Sequence, residues 1–308
     1  MLRTKRKSLS ALSGAERREA RWSLFFISPW IIGFILLTLI PLATSLSYSF
    51  MEFKIAQPEE AHFVGLENYR RLAQDEIAWR SLRLTAAYVF IWTPVSVLAP
   101  LGIATLLHSK HLGMPRLFRL LFYLPSLIPE IAVAFITYGF FSGRGWFYQL
   151  FLAPFGVPDT SPILRSFYMV FFVSAGLWGV GNVILILLAA KQGVPVDLYE
   201  AADVDGAEWL CKYVRITLPM ISPVIFYSLV IGLISSFQFF AAPFLVSAGG
   251  YDPDHPWMFF TVYMSTQLRV FQDLGYTATL GWLLAAFVGV VTLLVFITSR
   301  RWVFYREG

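Results

Sequence analysis

The hydrophobic positions of this 308-residue chain cluster in six long runs that are separated by shorter, more polar segments. Each run has 24 or more residues, and the runs lie at 24–49, 82–107, 117–140, 166–189, 221–247 and 276–299. At about 1.5 Å of rise per residue, each run can cross the roughly 30 Å hydrocarbon core of a bilayer as a helix. Backbone groups in lipid must satisfy their own hydrogen bonds, which helices do. The pattern predicts an all-α membrane protein with six transmembrane helices.

The distribution of Lys and Arg predicts which side of the membrane each polar segment faces. Sixteen of the 24 Lys and Arg residues lie in the two tails and in or beside the second and fourth connecting segments. The other eight lie in or beside the first, third and fifth connecting segments. Because cytoplasmic segments carry the excess of these residues, both termini are expected in the cytoplasm. Residues 1–23 then form a basic cytosolic arm, and residues 24–308 form a single transmembrane domain. The first run is too long for the core of a signal peptide, so an uncleaved helix is expected.

The composition supports a membrane protein and narrows the range of expected partners. The chain is 57% hydrophobic and only 14% charged, whereas soluble domains carry about 25% charged residues. The pI of 9.3 reflects basic residues at the ends of apolar runs, where they act as topology signals rather than as a nucleic-acid surface. The single cysteine, Cys211, excludes a disulfide within the chain. Membrane lipid is therefore an expected partner, and nucleic acid is not.

The fourth connecting segment, at about 190–220, combines acids, small residues and turn signals in an otherwise apolar chain. Asp197 and Glu200, three residues apart, predict a capping pair at the start of a short helix. Gly206 after an aspartate predicts a turn, and residues 207–218 predict a second short helix. Such a bent pair of helices fits a groove on a partner, but it also fits a plain connector between spans. The residues alone leave both interpretations open.

The spacing of this segment resembles a known family. Glu200-Ala201-Ala202 is followed after three residues by Gly206, after nine more by Ile216, and then by Leu218-Pro219. This resembles the EAA loop of permease subunits in binding-protein-dependent ABC importers, and residues 190–220 are called the EAA loop below. "FVGLENYRRL" at 63–72, "LPSLIP" at 124–129 and "SRRWVFYREG" at the carboxyl end resemble the first permease of sugar importers of the maltose and glycerol-phosphate type.

The resemblance implies that the EAA loop, between the fourth and fifth helices, forms a coupling helix in a cleft of a dimeric cytosolic ATPase. The ATPase-docking residues would be Glu200, Ala201, Ala202, Asp205, Gly206, Ala207, Leu218 and Pro219. ATP and magnesium would bind to that partner, since this chain has no G-x-x-x-x-G-K-[ST] segment and is expected to bind no cofactor or metal of its own.

Further partners are also implied by the resemblance. A second permease would complete the pore as a heterodimer, and an extracytoplasmic solute-binding protein would deliver the cargo. The expected location is the cytoplasmic membrane of a bacterium or archaeon.

Polar side chains within spans usually face a cavity, and they provide the candidate substrate contacts. Glu130, Asn182 and Gln238 could bind sugar hydroxyls. Trp178, Phe237, Phe239 and Phe240 could stack on a sugar ring, with Trp178 and Phe240 favoured. Each has a structural alternative, such as a hydrogen bond between helices for the amides. Carbohydrate is the expected cargo, with a polyol, a glycerophosphodiester or a nucleoside as alternatives. A membrane-embedded enzyme using Glu130 is disfavoured, because it would need a second acidic or histidine group at the same depth.

Overall fold

The computed structural model describes residues 14–109, 113–141, 145–158, 176, 179–247, 255 and 257–304. Over these residues the chain is mostly helical, which confirms the predicted all-α membrane class. Among the described residues, four helices are long and apolar enough to cross a membrane, and the number rises to six if two bent helix pairs each count as one span. The count of six and the orientation of the termini therefore stay predictions.

The first span is formed by α1 (Gly14–Phe34), a stretch of π-helix (Ile35–Leu39) and α2 (Ile40–Tyr48). It coincides closely with the predicted run at 24–49. The apolar window of this span has no side chain buried within the chain, although α2 packs against the last long helix. Its exposed apolar surface therefore needs lipid or another chain to cover it.

A small hairpin follows the first span. Strands β1 (Met51–Glu52) and β2 (His62–Phe63) pair antiparallel, with Met51 opposite Phe63, and helix α3 (Glu67–Gln74) comes next. The buried Asn68 donates from Nδ2 to the carbonyl oxygens of Ser49, at 3.1 Å, and Met51, at 2.9 Å. These two bonds fasten α3 to the end of the first span and to the first strand of the hairpin.

The central element is α4 (Glu76–Leu107), a helix of 32 residues. It begins six residues before the predicted run because Asp75 caps it, accepting a hydrogen bond at Oδ1 from the backbone N–H of Ala78 at 3.0 Å. The other carboxylate oxygen of Asp75 accepts hydrogen bonds from Tyr263 and Tyr276, both at 2.5 Å. One aspartate thus joins the start of α4 to the two helices at the end of the chain.

The third predicted run is not one straight helix. It is divided into α5 (Pro115–Tyr123), a 3-10 turn (Leu124–Leu127) and α6 (Glu130–Phe141), and the two halves meet at 90°. Pro129 explains the break, because proline lacks an N–H and disfavours helical geometry in the residue before it. A π-helical stretch (Tyr148–Leu152) and a short 3-10 turn (Ala153–Phe155) follow.

Half of the fourth predicted run, 166–189, lies outside the described residues. Its last part forms α7 (Gly181–Gln192), and α8 (Val196–Val204) comes after a bend of 62°.

The fifth span is longer than predicted. Helix α9 (Trp209–Lys212) continues through a π-helical stretch (Tyr213–Thr217) into α10 (Leu218–Phe237), and α11 (Ala241–Val246) follows. The prediction of a separate second short helix over 207–218 is therefore wrong. Helical geometry continues through Leu218, since a proline at the second position of α10 does not interrupt it.

The chain ends with α12 (Phe260–Arg269) and α13 (Leu274–Ser299); α13 agrees closely with the predicted run at 276–299. Two apolar cores hold the helices together, and α4 contributes to both. One core contains Tyr88, Trp92, Phe237, Phe259 and Tyr276. The other lies beside the EAA loop, where α4, α7 and α10 meet, and contains Leu101, Ala104, Ile184, Leu187 and Ile221. Helix α4 is thus the element that links the two ends of the molecule.

Candidate functional site: a polar cavity and the EAA loop

A cavity of about 870 Å³ opens between α4, the broken third span, α7 and α10. Three of the candidate substrate residues, Glu130, Asn182 and Gln238, line it together. Glu130 reaches it because the 90° break ends there and α6 begins with this residue. Asn182 is the second residue of α7, and Gln238 directly follows the last residue of α10. Helix ends therefore position all three side chains.

The polar groups of these three residues are available to a ligand. All three residues are exposed, and within the described part of the chain their side chains have no hydrogen-bond partner or ion pair. An amide side chain offers two donors and an acceptor, and an ionised carboxylate offers only acceptors. The cavity wall also carries hydroxyls, including those of Ser235 and Ser236. This set can bind several hydroxyl groups at once.

An aromatic wall stands beside these polar groups. Tyr88 lies between two parallel rings, with centroid distances of 4.8 Å to Phe239 and 6.4 Å to Trp92, and all three residues line the cavity. Of these three, only Phe239 was among the aromatic candidates from the sequence. The spacing of Tyr88 and Trp92, four residues apart on α4, places them on one helix face. However, aromatic residues make up 17% of the chain, so this signal does not stand out.

Of the other aromatic candidates, Phe237 is 2% exposed within a core and Phe240 is also outside the described cavity wall. Phe240 stacks on Phe244 with 5.0 Å between the ring centroids. The physical reason is local: helix α10 ends at Phe237, and the turn that follows directs residue 239 rather than residue 240 to the cavity. Trp178 lies outside the described residues.

Helix α8 of the EAA loop lies at the surface of the molecule, although one of its side chains packs against the core beside the loop. No residue of α8 is buried, and Val204 at its end is 89% exposed. Glu200, Ala201 and Ala202 lie in the second half of α8, and Asp205 ends it. Gly206 has φ of +70°, a left-handed conformation that glycine adopts without strain. The predicted turn at Gly206 is therefore confirmed.

The start of α8 differs from its prediction. The helix begins at Val196 after an extended Pro195, without a side-chain cap. The predicted capping pair of Asp197 and Glu200 is wrong, because Asp197 lies inside the first turn, where its charge favours the helix through the helix dipole. The other docking candidates lie beyond the turn: Ala207 follows Gly206, and Leu218 and Pro219 begin α10.

Two contacts hold the EAA loop in one shape. The hydroxyl of Tyr199 lies 2.8 Å from Oγ1 of Thr217, and Thr217 is only 4% exposed. Asp203 forms an ion pair with Lys212. Both contacts join α8 to the helical stretch that leads into α10. The loop is thus braced to the fifth span rather than free.

Comparisons with known proteins fit this architecture. No family model matches the chain. It is 33% identical over 290 residues to YesP of Bacillus subtilis, a probable ABC transporter permease protein, covering 92% of this chain and 91% of that one. It is 30% identical over 276 residues to AraP of the same organism, an arabinooligosaccharides transport system permease protein, covering 87% and 85%.

A solved structure has the same fold. The crystal structure of a bacterial alginate ABC transporter, in complex with an alginate pentasaccharide-bound periplasmic protein, contains a chain that matches with a TM-score of 0.72 and 23% identity. The match covers 93% of this chain and 96% of that one. The chain is 33% identical to YesP over nine-tenths of both chains, and it has several helices that can cross a membrane. Together these findings define its family and show that it is a multi-pass membrane protein. The chain belongs to the family of sugar ABC transporter permeases, which are transport components rather than catalytic subunits.

Proposed function

We propose that this chain is the translocation subunit of an ATP-driven carbohydrate importer. It would form half of the pore and couple to a separate cytosolic ATPase through the EAA loop. The observation that carries the proposal is α8, which lies at the surface with no buried residue and is joined by a side-chain contact to the helical stretch that leads into α10.

The exposed surface of the EAA loop has the character of a protein interface. Three apolar side chains are largely exposed around the turn: Val204 at 89%, Trp209 at 65% and Leu210 at 60%. Apolar patches rimmed by polar residues mark interaction sites on proteins. The excess of Lys and Arg on this side supports a cytosolic position for the loop. A cytosolic protein with an apolar cleft is therefore the expected partner.

Coupling would be mechanical. Closure of the ATPase dimer on ATP and magnesium would move the EAA loop as one body, because two contacts join α8 to the helical stretch that leads into α10. Ala201 and Ala202 would allow close approach to the cleft, and Glu200 would pair with a basic group there. Motion of α10 would then alter the cavity wall, to which α10 contributes Ser235 and Ser236.

Carbohydrate fits the cavity better than the alternatives. Glu130, Asn182 and Gln238 would bind hydroxyls, and the rings of Tyr88 and Phe239 would pack on the apolar face of a sugar ring. A polyol or a glycerophosphodiester has no ring to use this aromatic wall. A nucleoside does have rings, so the preference for sugar over nucleoside rests on the names of the relatives, among them the arabinooligosaccharide permease AraP.

Two more partners belong to the proposal. A second permease would close the open side of the cavity, and the resemblance to first permeases favours a heterodimer. A solute-binding protein would dock on the opposite face from the EAA loop, which includes the hairpin and α3; the alginate transporter bound to its periplasmic protein supports this. The location would be the cytoplasmic membrane of a bacterium or archaeon.

Substitution of Gly206 tests the docking assignment. A Cβ at this position would have no atom within 4 Å, so Gly206→Trp has room in the chain itself. Asn tolerates the left-handed conformation, which makes Gly206→Asn the matched control. The variant chain is co-expressed with the other subunits of its importer. The Trp variant is expected to insert into the membrane normally, but the ATPase should no longer co-purify with it and sugar uptake should be lost. The Asn variant should retain both. Normal uptake by the Trp variant would overturn the assignment.

A further inference from the structure

A buried lysine lies at the base of the EAA loop. Lys191 is the second-last residue of α7 and only 5% exposed. Its Nζ donates to Oγ1 of Thr105 on α4 at 2.9 Å. It also lies 5.0 Å above the ring centroid of Tyr213, which begins the π-helical stretch after α9. A buried ammonium group loses hydration, so these contacts must compensate it.

The three side chains form a closed triangle with defined donors. The hydroxyl of Thr105 donates to the carbonyl oxygen of Leu101 at 2.7 Å, and it lies 3.0 Å from the hydroxyl of Tyr213. Because its proton is directed to Leu101, Thr105 accepts hydrogen bonds from both Tyr213 and Lys191. Each member of the triangle therefore contacts the other two.

The position of this triangle joins the EAA loop to the centre of the molecule. Lys191 precedes α8 and Tyr213 follows the turn, so together they close the two ends of the loop. Thr105 lies near the end of α4, and Tyr88 and Trp92 on the same helix line the cavity. The two contacts described above join α8 to the helical stretch that leads into α10, whereas this triangle joins the EAA loop to α4.

We propose that Lys191 is a positioning residue that fastens both ends of the EAA loop to α4, so that movement of the loop is passed to the cavity wall. The inference rests on the proposed coupling function and extends it to a second helix. A purely structural role would be served as well by an apolar side chain of similar length, which carries no desolvation penalty. The charge and its two partners are useful where a fixed geometry must survive movement.

The test measures the coupling ratio, which is sugar taken up per ATP hydrolysed, in proteoliposomes that contain the whole importer with its own partners. Lys191→Met keeps the length and packing of the side chain but removes the charge. We expect it to assemble with the ATPase in normal amounts while the coupling ratio falls on the order of tenfold. Thr105→Val should produce the same loss, and the double variant should be no worse than either single variant. Lys191→Arg should restore most of the ratio.

The outcomes separate this inference from the proposed function. A wild-type ratio in both Lys191→Met and Thr105→Val, in a complex that Gly206→Trp disrupts, would overturn the role of Lys191 and leave the docking assignment intact. If Gly206→Trp transports normally, the coupling function itself is overturned. If Lys191→Met does not assemble, Thr105→Val decides: the inference stands if its ratio falls and fails if its ratio is unchanged.

Discussion

Tyr199→Phe is the substitution that probes the rigidity of the EAA loop most simply, because it removes one hydroxyl and keeps the ring. That hydroxyl lies 2.8 Å from Oγ1 of Thr217, and Thr217 is 4% exposed. In the variant, the buried threonine hydroxyl loses this partner without gaining access to water. The substitution should therefore loosen the contact between α8 and the fifth span.

The size of this effect follows from the burial of the Thr217 hydroxyl. Leaving a buried polar group without its partner costs about 1–3 kcal/mol, which corresponds to a rise of about 5- to 150-fold in the population of the detached state. The Asp203–Lys212 pair provides the comparison. Its side chains are 63% and 19% exposed, and exposed ion pairs contribute only about 0.2–1 kcal/mol. Asp203→Asn should therefore have the smaller effect.

Hydrogen exchange of the purified chain in lipid nanodiscs measures this without any partner. Amides of α8 should exchange faster in Tyr199→Phe by a factor in the range given above, whereas amides in the middle of α13 should be unchanged. The argument would be refuted if α8 exchanged at the wild-type rate. It would also be refuted if Asp203→Asn had the larger effect, since exposed charge rather than the buried hydroxyl would then hold the loop.

Two further predictions concern the cavity and the packing of the hairpin. Gln238→Leu should weaken equilibrium binding of sugar to the purified permease–ATPase complex by about 2- to 13-fold, the equivalent of one net hydrogen bond of about 0.5–1.5 kcal/mol; Phe240→Leu, outside the cavity wall, should not. Equal weakening by both would contradict the cavity assignment. Gly275→Ala would place a Cβ 2.1 Å from the carbonyl oxygen of Met51, so overpacking should lower the free energy of unfolding by about 1–3 kcal/mol. Gly289→Ala, with no atom within 4 Å, is its control; similar thermal unfolding of the two variants would show that the close approach at Gly275 is relieved by movement.

Hydropathy predicted the spans because lipid imposes a simple length rule, and the first and last spans agree with the structure to within a few residues. It failed where local chemistry decides. Helix α4 begins early because one aspartate caps it, and the third run is divided near Pro129. Proline is visible in the sequence, but many membrane helices tolerate it, so the size of the bend was not predictable.

The residues of the candidate site also fall into two groups: those that the sequence indicates and those that depend on tertiary packing. Glu130, Asn182 and Gln238 could be selected because polar residues are rare in apolar runs, and the structure brings all three to one cavity. Tyr88 could not be selected, and Phe239 could not be preferred over its aromatic neighbours, since rings are common throughout the chain. The contact of Lys191 with Thr105 spans 86 positions. No local pattern indicates which distant hydroxyl a lysine will reach, so this contact depends on the packing of α4 against α7.

The central claim is that the EAA loop is the surface on which an ATPase acts, and photo-crosslinking from Val204 in native membranes tests it most directly. Val204 is 89% exposed at the end of α8, and Phe63, 75% exposed on the hairpin, provides the control. A crosslinker at position 204 should capture the ATPase subunit, and one at position 63 should not. Failure to capture it from position 204, or equal capture from both positions, would contradict the account.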